Sequence, residues 1–150
     1  MEKIKILFVC VHNSARSQMA EVFMNTFCGD QYEAESAGLE PTELNPLVIE
    51  VMKEIGIDIS KNIAKSVFDF YKQGKLYSFV ITVCDEASAQ MCPIFPGMSS
   101  RLHWSFRDPT GFTGTYEERL NDTRILRDTI KEKILEFCHN QPSIELKGGR

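Results

Sequence analysis

The chain has 150 residues, about one domain's worth, so a multidomain reading starts out disfavoured. Hydrophobic residues make up 43% and charged residues 25%, which excludes a disordered chain, a collagen and a coiled coil. Seventeen Lys and Arg against 21 Asp and Glu give a net charge of -4, a poor basis for general nucleic-acid or anionic-membrane binding, although a local basic site for a small anion stays open.

In chain order, residues 3–9 (KIKILFV) read as a buried strand. The apolar run around them ends at Val11, too short to span a bilayer and without a small-residue cleavage site, so the expected compartment is the reducing cytoplasm. Over residues 17–27, Met19, Ala20, Phe23, Met24 and Phe27 recur at helical spacing, with Gly29 as the stop. Residues 32–37 form a weaker strand before a Gly38/Pro41 turn. Pro46 opens a helix with the face Val48, Val51, Met52 and Ile55, closed by Gly56. A short helix over 66–71, a strand over 77–83 (YSFVITV) and a brief strand over 101–104 follow. The longest helix covers 115–138, with Leu120, Ile125, Ile130, Ile134 and Phe137 inside. The domain thus spans 1–139, and 140–150, with Pro142 and Gly148-Gly149, reads as a frayed tail.

Strands alternating with helices imply an α/β fold: a single-domain three-layer sandwich, its four-stranded parallel sheet carrying helices on both faces. Sites in such sheets gather at the carboxyl ends of the strands, where the strand order reverses. Cys10 follows the first strand and Cys84 the third, so both are placed at the same sheet edge. An odd set of five cysteines, in a chain long enough for a full core, does not suggest a secreted disulfide scaffold.

The segment Cys10-Val11-His12-Asn13-Ser14-Ala15-Arg16-Ser17 runs from a strand into a helix. Its physical reading is an oxyanion cradle in which backbone N–H groups turn inward and the helix N-terminus adds positive potential. Arg16 can clamp two oxygens of a tetrahedral anion. The same field favours the Cys10 thiolate as a nucleophile, and Ser17 can donate a hydrogen bond to it. Asn13 suits a left-handed backbone in such a loop. A buried core cysteine is the bland reading of Cys10; the loop, arginine and helix start together favour the functional one.

The stretch CVHNSARSQMAE, with Ser36-Ala37-Gly38 and the later FRDP, resembles the low-molecular-weight protein tyrosine phosphatase superfamily. MKEIGIDIS, VITVC, CPIFP and HWSF carry the resemblance further, towards its thioredoxin-coupled arsenate reductases. It implies a low-molecular-weight phosphatase-like fold, with the backbone of Val11, His12, Asn13, Ser14, Ala15 and Arg16 binding the oxyanion. It also implies that Asp108, extended because Pro109 follows, is the general acid rather than a surface turn. Thr110 and Gly111 follow this dipeptide where tyrosine phosphatases typically carry an aromatic, which speaks against aryl substrates.

A reductase needs a second thiol to attack the first sulfur, whereas water completes a phosphatase reaction. The residues alone leave Cys84 and Cys92 divided between a relay and two buried cysteines flanking a helix. A zinc site with His103 has the wrong spacing. The resemblance implies the relay, passing oxidation from Cys10–Cys84 to Cys84–Cys92. Were residues 84–92 an intact helix, their Cα atoms would stand about 12 Å apart, so the segment would have to unwind. Some relatives hold potassium beside the loop; Asn13, Glu21 and Ser36 match three of the ligands, but Lys65 replaces an aspartate and its ammonium can stand in for the cation. The implied activity is reduction of arsenate to arsenite, with thioredoxin or a similar dithiol as partner and neither cofactor nor metal. The alternatives are hydrolysis of phosphate monoesters and a non-catalytic oxyanion-binding module. Cys28 and Cys138 are expected to be unpaired core residues outside the chemistry.

Overall fold

In the computed structural model, residues 2–140 are described. The expected frayed tail lies, from residue 141 onward, outside the described residues, whereas Asn140 still closes the last helix. The elements are β1 (Ile4–Cys10), α1 (Arg16–Phe27), β2 (Tyr32–Gly38), α2 (Pro46–Glu54), α3 (Val67–Lys72), β3 (Phe79–Thr82), α4 (Glu86–Ala89), β4 (Ser100–His103) and α5 (Tyr116–Asn140). A single 3-10 turn, Pro109–Gly111, precedes α5.

Local chemistry explains several boundaries. The Asn45 side chain accepts from Leu47 N at 2.9 Å and Pro46 supplies the first helical residue of α2, while Gly56 at φ +82° takes the chain out of it. Ser66 caps α3 through Asp69 N. β1 is apolar on both faces because it is central: Ile6, Phe8 and Cys10 join one core, and Leu7 and Val9 the other.

The sheet order is β2-β1-β3-β4, all parallel. The chain steps from β1 to β2, then returns to lay β3 on the other side of β1. Strand order therefore reverses between β1 and β3, and the ends of those strands carry Cys10 and Cys84. The first core packs α1, α2 and α5 against one face through Met19, Phe23, Val48, Met52, Ile130 and Ile134. The second places Val67, Phe70, Cys92 and Phe95 against the other. The expected sandwich is the one observed.

Three helical residues expected inside are outside. Phe27 and Ile55 lie at helix ends, past the last turn that faces the sheet, and are exposed. On α5 the buried positions are Leu120, Thr123, Leu126, Arg127, Ile130, Ile134 and Phe137, which leaves Ile125 on the solvent side. Arg127 enters that face because its guanidinium donates to Val51 O at 2.9 Å and Glu54 Oε1 at 3.0 Å, tying α5 to α2.

A larger correction concerns Cys28 and Cys138. They form a disulfide, with Cα atoms 6.5 Å apart, between the C-terminal cap of α1 and the last turn of α5. Phe137 beside it packs on Tyr32 and Phe79, which begin β2 and β3. The bond therefore lies at the sheet edge opposite Cys10. Two cysteines separated by 110 positions give no local sign that helix packing brings them together.

Candidate active site

Four carbonyls of the loop after β1 turn outward and are held by one neighbouring segment. Leu39 N donates to Cys10 O, Glu40 N to Val11 O, Thr42 N to His12 O and Asn45 N to Ser14 O, at 2.7–3.1 Å. In a trans peptide the N–H points away from its carbonyl, so the amides of Val11, His12, Asn13 and Ala15 face the loop interior. Asn13 N lies 3.1 Å from Cys10 Sγ, as this requires. The backbone cradle expected from sequence thus has a visible cause, and the segment after β2 that builds it was not foreseen. The His12 side chain belongs to the same bracing, its Nδ1–H donating to Glu40 O at 2.9 Å.

Asn13 adopts φ +53°, the left-handed conformation anticipated for it. Its side chain compensates: Oδ1 accepts from Lys65 N and Gln18 Nε2, and Nδ2 donates to Ser17 Oγ at 2.8 Å and Ser36 Oγ at 2.9 Å. With its oxygen accepting from Asn13, the Ser17 hydroxyl is free to donate to Cys10 Sγ, 2.8 Å away. Ser36 in turn donates to Glu21 Oε1 at 2.6 Å, and Lys65 Nζ stands 3.5 Å from the same oxygen. Sequence reasoning missed Gln18, which is buried and also donates to the carbonyls of Asn13 and Ile63. A glutamine directly after the loop, where an apolar core residue would fit, was the available signal.

Gly38 closes the floor. A Cβ there would meet Asn13 N and Val11 O at 2.8 Å, closer than real contacts allow, so only glycine permits β2 to end against the loop.

Arg16 is buried and opens α1, but its guanidinium is engaged: Nη1 donates to Phe106 O at 3.2 Å, and Nη2 lies 3.5 Å from Asp108 Oδ2. Asp108 is extended at φ -83°, ψ 117°, as the following proline demands, and its Oδ1 accepts from Thr110 N and Oγ1. Burial pushes the Asp108 carboxyl up, but the Thr110 hydrogen bonds, with Arg16 and His12 behind them, outweigh it and hold the group below its ordinary range. In this state the carboxyl is ionised and paired with the arginine.

Cys84 shares the first core with Cys10, one residue beyond Val83, whose N–H donates to Val9 O at 2.8 Å. Burial lifts its thiol to about 11; negative charge at Cys10 adds to this, and Arg16 opposes it. Cys92 is buried in the second core, and burial lifts it to about 11 as well, against the pull of Arg101. The helix between these cysteines covers only Glu86–Ala89, capped by Asp85. Cys10, Cys84 and Cys92 are free thiols. His103 bonds Thr82 Oγ1 at 2.8 Å. Among the described residues no group of three or more His, Cys, Asp and Glu gathers as a metal site.

Beside this loop of inward amides, with a thiol at its base and an arginine at its rim, the sequence over residues 5–140 matches the low molecular weight phosphotyrosine protein phosphatase family. The chain belongs to that family. Within it, the chain is 40% identical over 138 residues to an arsenate reductase of Halalkalibacterium halodurans, covering 92% of this chain and 97% of that one. It is also 40% identical over 139 residues to an arsenate reductase of Bacillus subtilis, with the same coverage. A solved arsenate reductase in its oxidized state superposes with a TM-score of 0.74 at 30% identity, over 90% of this chain and 96% of that one. A thioredoxin-dependent arsenate reductase of Corynebacterium glutamicum gives 0.69 at 28% identity, covering 98% of this chain and 64% of the other. Among the described residues no helix is long and apolar enough to cross a membrane.

Proposed function

We propose that the chain reduces arsenate to arsenite with three of its own cysteines. The observation that carries this reading is a second free thiol, Cys84, in the same core as Cys10 and on the neighbouring strand's end, in a chain 40% identical to arsenate reductases. A hydrolase has no use for that thiol.

Arsenate enters the loop, where the inward amides and Arg16 take up its charge. The anion competes with Asp108 for the guanidinium and repels its negative charge, so the carboxyl gains a proton as it loses its partner. The Cys10 thiolate, supported by Ser17, attacks arsenic, and Asp108 gives its proton to the departing oxygen, which leaves as water. Once the Cys10 sulfur is bonded to arsenic its negative charge is gone. The share of the lift that came from the Cys10 charge then vanishes while burial and the opposing pull of Arg16 remain, which shifts Cys84 towards its thiolate. Cys84 attacks the Cys10 sulfur; the sulfur–arsenic pair of electrons passes to arsenic, and arsenite departs as two thiols become one disulfide. Cys92 then attacks Cys84, restoring the Cys10 thiolate. A dithiol such as thioredoxin reduces Cys84–Cys92, and the cytoplasm is the compartment that keeps such a reductant charged.

The test is arsenate-dependent NADPH oxidation with thioredoxin and thioredoxin reductase. The native chain is expected to turn over repeatedly and Cys84→Ser to release no arsenite. Sustained turnover by Cys84→Ser defeats the relay. Hydrolysis of an aryl phosphate without arsenate turnover establishes the phosphatase instead.

A further inference from the structure

The segment between Cys84 and Cys92 has little of its own to keep it folded. A helix of four residues, Glu86–Ala89, is far below the length that is stable alone in water. Its N-terminal fastening, Asp85 accepting from Ser88 N and Oγ, is internal and moves with the segment. On one side the segment and β4 face each other across a solvent-open cleft of about 450 Å³, lined among others by Thr82, Glu86, Gln90 and His103.

One side chain bridges the gap. Arg101 on β4 donates through Nη1 to the Cys92 carbonyl at 3.3 Å and through Nη2 to the Ala89 carbonyl. Among the described residues these are the side-chain hydrogen bonds that fix residues 85–92 to the sheet. The Ala89 carbonyl ends α4, where a helix leaves acceptors unsatisfied and a cation is favoured, and the Cys92 carbonyl lies three residues beyond it. Carrying Cys92 out of the second core towards Cys84 breaks the bond to its carbonyl, and unwinding α4 to allow it breaks the bond to Ala89 as well.

We propose that Arg101 is the latch of the relay segment: it keeps Cys92 in the second core while the thiols are reduced, and its release frees the residue to reach Cys84. Arg101 acts here through the backbone of residues 89 and 92, as a positioning residue. The proposal rests on the three-thiol reading and adds its control step. With the latch open, the Cys92 thiolate attacks the Cys84 sulfur of the Cys10–Cys84 disulfide. The old bond breaks with its electron pair going to Cys10, the Cys92 proton goes to solvent, and no external oxidant enters.

Amide hydrogen exchange on the reduced protein tests the latch without arsenate. In Arg101→Ala the amides of residues 86–92 are expected to exchange about ten-fold faster or more, with those of β1 and α5 unchanged and Arg101→Lys in between. Exchange unchanged at 86–92, or faster throughout the molecule, overturns the proposal. A second measurement oxidises the Cys10→Ser protein with diamide, which takes two electrons and two protons from Cys84 and Cys92 as they pair. Arg101→Ala in that background is expected to pair several-fold faster. An equal or slower rate overturns the latch even where local exchange has risen. Absence of arsenate turnover in the native chain would instead strike the function and leave both readouts intact.

Discussion

Cys84 and Cys92 are near neighbours in the chain, yet they are buried in different hydrophobic cores on opposite faces of the sheet. Cys84 sits with Cys10, Phe8 and Ile81; Cys92 sits with Val9, Val80 and Phe95. The first disulfide of the proposed cycle therefore forms within one core, whereas the second requires the chain to cross an edge. Cys92→Ser should separate the two events. It is expected to release about one equivalent of arsenite per enzyme and then stop, held as Cys10–Cys84. Stoichiometric arsenite measurement and non-reducing mass spectrometry check this; repeated turnover in this variant would show that Cys92 is dispensable.

Burial of the two relay thiols sets a pH dependence whose sign is fixed. Both are lifted to about 11 in the folded protein, above the ordinary thiol range. The folded state thus prefers them protonated. That contribution to stability is fully present below the unfolded thiol's titration and is lost as pH rises through the folded value. Stability of the reduced protein should fall between about pH 9 and 11, by on the order of 2 kcal/mol per thiol. Tyr77, raised by burial and by its hydrogen bond to Glu35, steepens the alkaline end. Denaturant unfolding across this range is the check, and Cys84→Ala with Cys92→Ala should flatten the curve.

Gly38 is the least replaceable residue of the floor. An alanine there drives its methyl into Asn13 N and Val11 O, so the loop must shift by a large part of an ångström. Displacement on that scale costs about 100-fold in rate when the groups displaced are those that orient the reactants. Gly38→Ala should therefore lose about that much kcat/KM and bind phosphate more weakly, while keeping native circular dichroism. Near-native kinetics would mean that the loop adapts.

The general fold was legible because its main elements obeyed simple local rules: an all-apolar central strand, a proline-opened helix, glycines at helix ends; the four-residue α4 carried no such signal. The chemistry at Cys10, Arg16 and Asn13 was legible because strand, loop and helix are contiguous in sequence. What stayed hidden was long-range. The outward carbonyls are held by Leu39, Glu40, Thr42 and Asn45 through backbone groups, which no side-chain pattern announces. Arg101 and Cys92 meet across a turn whose path sequence does not specify. Ile125 was misplaced for a different reason: helical spacing defines a stripe, and Leu126 rather than Ile125 lies on it.

The ammonium of Lys65 stands 3.5 Å from Glu21 Oε1, with Ser36 and Asn13 completing the chain of bonds to the loop. A fixed positive charge there makes a dissolved one superfluous. Equal rates are expected in potassium and sodium at constant ionic strength, and a several-fold loss in Lys65→Ala. A clear rise with potassium in the native chain would show that the lysine does not occupy that role.

Cys28–Cys138 lies at the other end of the sheet from the relay and should be separable from it. The bond closes a loop of 110 positions, joining α1, whose first turn carries Arg16 and Ser17, to α5. Long loops lose the most freedom in the unfolded state when cross-linked, and native disulfides of this kind contribute about 2–4 kcal/mol. The double variant Cys28→Ser, Cys138→Ser should unfold at lower denaturant by that amount, yet reduce arsenate at the native rate at 25 °C, where it remains folded. If that variant keeps native stability but loses turnover, the pair belongs to the redox cycle and not to the scaffold. The position argues for the scaffold: α1 runs its full length between Cys28 and Arg16, twelve residues at about 1.5 Å each, too far for exchange with Cys10 in a folded molecule.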